Sequence, residues 1–225
     1  MLKKLFALAA VALLAACAVT SPQTYSGQFT PPAANSRMLV MTPNVQLSLL
    51  SAAGIPEPRE DWSIAGRDNL AVSFAEYVQS KHHSPSALDP STAMEGRVGQ
   101  IIRLHDAVGG ALMTRAMLPT QRDRFEWTLG EGVRELGATH NVDYAIFVGA
   151  YGTYASAGRV AAMVAFSMLG VGIPLGNQVA YASLVDLRTG NVIWFNTILA
   201  APNQDMRNAG GAKALVDNLL RSAPL

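Results

Sequence analysis

Hydrophobic positions in this chain fall into blocks of clearly different period. Leu5 to Ala16 is an unbroken apolar run near the start. Arg37 to Thr42 is a short apolar stretch stopped by Pro43, after which Val45, Leu47 and Leu49 alternate with polar neighbours, so a first strand bent at Pro43 is predicted. Ser51 to Trp62, carrying Gly54, Pro56 and Pro58, reads as a loop. From Ser63 the period lengthens to that of a helix, with Leu70, Phe74, Tyr77 and Val78 on one face and Arg67, Asp68, Glu76 and Lys81 on the other, ending at His82-His83. A proline-serine loop (SPSALDPST) follows, with Ser91 or Thr92 placed as a cap. The next stripe, Val98, Ile101, Ile102, His105 and Val108, predicts a second helix weakened at Gly109-Gly110 and stopped by Pro119. Phe125, Leu129, Val133 and Leu136 predict a third, from about Gln121 to Leu136, with Gly137 as its C-cap.

Beyond this point the period changes again. Asp143 to Tyr151 is apolar on both alternating faces, the pattern of a central strand covered on both sides. Val179 to Leu187 and Val192 to Thr197 flank Arg188-Thr189-Gly190-Asn191, a turn rich in residues that tolerate positive φ, and together predict a β-hairpin. Ala212, Leu215, Val216, Leu219 and Leu220 predict a terminal helix packed on the sheet. The expected fold class is α/β, of α+β-like character. It has a mixed sheet of about four to five strands, including the C-terminal hairpin, packed by about four to five helices.

The run from Leu5 to Ala16 follows Lys3 and Lys4 and is shorter than the roughly 20 apolar residues a bilayer span needs, which fits a signal-peptide core. Leu14-Ala15-Ala16-Cys17 resembles the bacterial lipobox, in which small residues admit a signal peptidase to a diacylglyceryl-modified cysteine. Cys17 is the only cysteine in 225 residues and stands where that motif requires one; the other reading is a secretory signal that happens to hold a cysteine. The resemblance implies a signal peptide over 1–16, a covalent lipid on Cys17 as the one attached group, and a periplasm-facing anchor. With Ala18 rather than Asp after the cysteine, it implies sorting to the outer membrane. A lone cysteine excludes an intramolecular disulfide. Two or more acyl chains make anchoring stable. Ala18 to Ser36 is small, polar and uncharged, so residues 17–36 are expected to be a flexible tether reaching on the order of 25 Å. Residues 37–225 are expected to form a single domain.

Charge narrows the range of partners. Without Lys3 and Lys4 the balance is 15 basic against 16 acidic residues, a net of −1, which leaves no electrostatic footprint for nucleic acid. Charged residues are only 15% of the chain, below the usual quarter, so some surface must be apolar and meet a partner or lipid.

Between Arg159 and Asp186 there is no charged residue, and Val160 to Gly176 is mostly apolar. Gly170, Gly172 and Pro174 interrupt any span and favour a buried helix-and-loop connection; the alternative is a membrane-contacting or self-associating segment. Val160, Met163, Phe166, Met168, Leu169, Trp194 and Phe195 are the candidate interaction surface, with only one of the two aromatics able to face a core. The glycines from Gly170 to Gly176 do not match the dinucleotide spacing and have no βαβ context. A hydrolytic triad can be assembled on paper from His105-Asp106, His140 and Asp143 with Ser156 or Ser183, yet no G-x-S-x-G elbow is present and His105 sits on an apolar stripe. No catalytic residue is therefore assigned. His82-His83 is adjacent and lacks the i, i+4 geometry that chelates zinc, so no metal site is expected. Asp205 and Arg207, in the loop before the last helix, read as a local ion pair or cap and not as a site.

The element order, with DYAIFV followed by SLVDLRTGNVIWFN, is similar to the periplasmic α/β domain of CsgG, LpoB and the N-terminal domain of TolB. The matching residues are Asp143, Tyr144, Val185, Asp186, Thr189, Gly190, Val192 and Trp194. The motif covers about Asp143 to Asn196, and the segment Ser156 to Gly176 departs from it. The resemblance implies a non-catalytic role, that of envelope lipoproteins which dock to other proteins, activate an enzyme or assemble into an export pore; the expected partners are the membrane, through the lipid, and other envelope proteins or a second copy of the chain. The alternatives are a small periplasmic hydrolase or ligand-binding protein, and a CsgG-like export pore whose apolar insert would have to form membrane strands.

Overall fold

The computed structural model describes residues 22–88, 96–114 and 124–225. Its strands are β1 (Gln23–Thr24), β2 (Arg37–Met41), β3 (Asn44–Leu50), β4 (Pro56–Pro58), β5 (Ser84–Leu88), β6 (Tyr144–Ala155), β7 (Gln178–Asp186) and β8 (Val192–Leu199). Its helices are α1 (Glu60–Ser80), α2 (Gly96–Thr114), α3 (Arg134–His140), α4 (Ala157–Ser167) and α5 (Ala209–Leu219). The α/β class holds, and the sheet is larger than expected, with eight strands in the order β1-β8-β7-β6-β2-β5 and with β3 and β4 joined to the far half of β6.

β6 is the spine. Its first half pairs parallel with β2 (Met38 opposite Tyr144) and its second half pairs parallel with β3 (Asn44 opposite Gly149), so the segment around Pro43 carries one extra residue and the first strand is bent there. On its other side β6 pairs antiparallel with β7 over its whole inner length, and β7 continues into β8 through the predicted hairpin. Gly190 closes that turn at φ +81, where an added Cβ would lie 2.2 Å from the Gly130 carbonyl oxygen. Asp186 accepts the Arg188 backbone N–H at 2.9 Å, and the Thr189 hydroxyl accepts that of Asn191 at 3.2 Å.

Both faces of the sheet are covered. Met38, Ile146, Leu184, Trp194 and their neighbours meet Leu70 and Phe74 of α1 and Leu215 of α5. Leu39, Phe147, Val185 and Phe195 meet Ile101 and Leu112 of α2 together with Phe125 and Leu129. This corrects the reading of Trp194 and Phe195 as part of the candidate interaction surface, since they are 1% and 2% exposed. Successive residues of β8 do point to opposite faces, but each face is a core. The α1 stripe is as predicted, with the Tyr77 hydroxyl donating to the Leu220 carbonyl at 2.9 Å.

Four other expectations change, besides the Ser51 to Trp62 loop, which holds β4 and the start of α1 at Glu60. Ser84–Leu88, read as loop, is a parallel partner of β2, its proline tolerated because the strand lies at the sheet edge. The predicted third helix does not include residues 124–130. Residues 124–130 are extended along the hairpin turn, with the Val192 and Leu129 amides bonded to Trp127 and Gly190 carbonyls, and helix appears only from Glu131, after Gly130 at φ +73. Gly137 lies inside α3, which ends instead at Asn141 in the left-handed region. The described part of the expected tether, from Pro22 onward, is docked: β1 pairs with β8, Ser26 exchanges hydrogen bonds with Phe125, Tyr25 and Phe29 pack on the core, and the Thr30 carbonyl accepts from Tyr144 at 2.7 Å. Two half-buried aromatics and an otherwise open strand edge account for that docking. The caps at Ser91 or Thr92 and the stop at Pro119 lie outside the described residues.

Candidate functional site

β6 ends at Ala155, and Ser156 caps α4 by accepting the Arg159 amide at 3.1 Å. From there the chain leaves the domain. No residue of α4 is buried. Val160, Val164 and Phe166 are exposed, Met168 and Leu169 are 81% and 77% exposed, and Val171 and Leu175 continue the apolar surface. The sequence-based preference for a buried connection is thereby overturned. The glycines and proline do interrupt the segment, but they form its return path: Gly170 (φ +77) turns the chain and Gly176 (φ +94) brings it back against Thr153, where a Cβ would lie 2.4 Å from a carbonyl oxygen.

Arg159 fastens the base of this projection. Its guanidinium donates to the carbonyls of Pro174 at 3.0 Å and Ala52 at 3.4 Å, tying the outgoing and returning arms to the β3–β4 loop. The loop contributes exposed Ile55, and the end of β8 contributes exposed Leu199, so one end of the sheet is an apolar platform. Candidate residues Val160, Met163, Phe166, Met168 and Leu169 all lie on it. Leu14, Ala15, Ala16 and Cys17 lie outside the described residues.

Beside the platform, Asp205 and Arg207 form the expected ion pair (2.7 Å) in a setting the sequence did not reveal. The guanidinium is layered over Trp62 and Tyr154, and the Tyr154 hydroxyl donates to Asp205 at 2.9 Å. The arginine and this hydroxyl hold the Asp205 carboxyl below its usual range, and burial raises the Tyr154 phenol. Sequence distance hid the cluster, since its members come from α1, β6 and the loop before α5.

The paper triad comes apart: Ser156 caps α4 at the platform, and His105 with Ser183 stands apart from Asp143. His105 Nε2 and Ser183 Oγ share a hydrogen bond of 2.5 Å under α2, and the imidazole stacks on Phe147 at 4.1 Å. Burial pushes the His105 pKa down to about 3, so the ring is neutral at pH 7. His105 touches a cavity of about 390 Å³ that Arg67, Arg103 and Asp106 also line, but Ser183 is 0% exposed and does not open on it. Asp143 stands four residues before Phe147, about 13 Å along the strand direction. It lines a different, open cavity of about 560 Å³ with Arg37, Arg134 and Arg188. Arg188 there is paired with Asp186 at 2.8 Å and lies over the Tyr144 ring. His83 is buried, held by Ser36 Oγ at 3.0 Å, and apart from the exposed ring of His82. Among the described residues no group of His, Cys, Asp or Glu is arranged to hold a metal ion, and no helix is long and apolar enough to cross a membrane.

No protein-family model and no curated protein matches this sequence. Among solved structures, the chain is similar to a PelC dodecamer from Paraburkholderia phytofirmans, with 12% identity over 92% of this chain and 98% of that one and a TM-score of 0.39. A point variant of that dodecamer gives 11% identity over 92% of this chain and 97% of the other, with a TM-score of 0.41. The chain is also similar to lipoprotein GNA1162 from Neisseria meningitidis, with 15% identity over 83% of this chain and 96% of that one and a TM-score of 0.34. At such identities and scores the role of this chain has to be argued from its own residues.

Proposed function

We propose that this chain is an envelope lipoprotein, anchored by acylated Cys17 on the periplasmic side of the outer membrane, whose domain works by contact with other proteins and not by catalysis. The observation that carries the reading is the position of the sole cysteine at the end of a lipobox-like Leu14-Ala15-Ala16-Cys17, directly after a signal-like apolar run. The docking of residues 22–36 on the sheet supports it, because the anchor is then separated from the folded body by only a few residues. A non-catalytic role is supported by the burial of Ser183 and by the separation of His105 from Asp143. The similarity of the hairpin motif to the CsgG, LpoB and TolB domains points the same way. A pore reading needs strands in 160–176, whereas Ala157–Ser167 is helical.

Mass spectrometry of the protein from membranes tests the anchor: a mature N-terminus at Cys17 bearing fatty acid is expected, and any other N-terminus, or an unmodified thiol, overturns it. Crosslinking in intact envelopes tests the mode of action. Discrete adducts with envelope proteins are expected, while a domain that captures nothing and shows a hydrolytic activity lost in His105→Ala would reverse the assignment.

A further inference from the structure

The apolar platform admits two kinds of cover, another protein or lipid, and the distribution of side chains around α4 distinguishes them. At 100° per residue, Val160 and Val164 lie on one side of the helix, Phe166 on the opposite side, and Met163 between them. None of these is buried, and the domain covers no side of the helix completely. A protein partner or a second copy of the chain would satisfy one stripe and leave the reverse in water. A helix that is apolar all round is at rest only in a medium that surrounds it.

The direction of the N-terminal chain gives the second observation. β1 pairs antiparallel with β8, Gln23 opposite Phe195 and Thr24 opposite Trp194, so tracing back from Gln23 leads toward Leu199. That is the end of the sheet from which β6 passes into α4, since Leu199 is opposite Val179 and Val179 is opposite Tyr151. Cys17 precedes Gln23 by six residues, a reach of about 20 Å at most. The end of the sheet is four residues beyond Phe195, about 13 Å. The anchor therefore has the length and the heading to meet the bilayer where the platform faces.

Dimensions and charge agree. An 11-residue helix is about 16 Å long, roughly half the 30 Å hydrocarbon thickness, so α4 fits within one leaflet and does not cross it. Arg159, the one charged residue between Asp143 and Asp186, sits at the base of the projection, at the level where a guanidinium would meet lipid phosphates.

We infer that α4 and the turn after it, Ala157 to Leu175, are immersed in the same lipid leaflet that holds the acyl chains of Cys17, giving the domain a second membrane contact and a fixed orientation. This rests on the anchored reading proposed above. The test uses the acylated protein in vesicles of phosphatidylethanolamine and phosphatidylglycerol. Because Cys17 is blocked by its thioether, each of Val164→Cys, Phe166→Cys, Met168→Cys and, at the far end of the sheet, Gln79→Cys supplies a unique thiol for a nitroxide label. All four positions are on the surface, so the fold is not at risk. The expected result is that labels at 164 and 166, on opposite sides of the helix, and at 168, just past its end, collide with oxygen at least tenfold more than with a water-soluble nickel chelate, relative to the label at 79. Nickel access at any of the three, or dipolar broadening between copies at 166 or 168, overturns the inference in favour of an aqueous or self-associated helix. Acylation is read separately on the same preparation by mass spectrometry, so failure of the anchor and failure of the immersed helix are distinguishable.

Discussion

Acid should weaken this domain through one imidazole. His105 is buried and stacked on Phe147, with its pKa pushed down to about 3 by desolvation, whereas in the unfolded chain it returns to 6.5. Between those values the unfolded state binds a proton that the folded state does not, so stability rises with pH there and falls as the medium is acidified. The contribution is fully present above 6.5. Taking the chain from pH 7 to pH 5 carries it through about 1.5 units of that window, and at 1.36 kcal/mol per unit this costs about 2 kcal/mol. For a domain of this size that moves the urea midpoint by about 1 M. The assay is urea unfolding of the chain from Ala18 onward at pH 7, 6 and 5, beside His105→Asn, which retains a hydrogen-bonding group for Ser183 but cannot titrate. The variant will be weaker at every pH because it loses the stack, so the quantity compared is the change between pH 7 and pH 5. His83, whose pKa burial also lowers, contributes equally to both proteins. An identical pH dependence in the two would show that His105 is not buried as a neutral ring.

Three further outcomes are expected. Trp194→Ala should cost about 3–5 kcal/mol in chemical denaturation because the indole fills the core under α1 and α5; a loss under about 1 kcal/mol would mean the side chain is at the surface. Gly190→Ala should cost at least about 1–3 kcal/mol, read in the same assay, because the added Cβ meets the Gly130 carbonyl at a positive φ. By contrast, the double replacement Phe166→Ser with Leu169→Ser should leave the unfolding midpoint in vesicle-free buffer within about 0.5 kcal/mol of the parent, since neither side chain supports the core.

Much of the frame was legible because period and turn chemistry agreed. The hairpin needed only two mostly apolar runs around Arg188-Thr189-Gly190-Asn191, and β6 only a run apolar on both alternating faces, which a sheet covered on both faces requires. The same double cover hid the fate of Trp194 and Phe195, because adjacent aromatics look half-exposed unless both faces are known to be packed. Phe125 and Leu129 are four apart and buried, as helical residues would be, yet they reach the core from an extended segment whose hydrogen bonds come from the hairpin turn. Ser84–Leu88 has a composition that favours loops, and only its place beside β2 makes it a strand. The apolar insert was visible as an anomaly of charge, but whether it turned inward or outward depended on where β6 ended. The pairing of His105 with Ser183, 78 residues apart, left no local trace.

The way β1 lies on β8 also has a mechanical consequence. A pull on the chain upstream of Gln23, toward the platform end, acts along the strand axis and loads the β1–β8 hydrogen bonds, the Ser26–Phe125 exchange and the packed rings of Tyr25 and Phe29 together in shear. The same tether leaving at right angles would peel those contacts away one after another. A domain held from this direction can bear tension while its sheet stays intact.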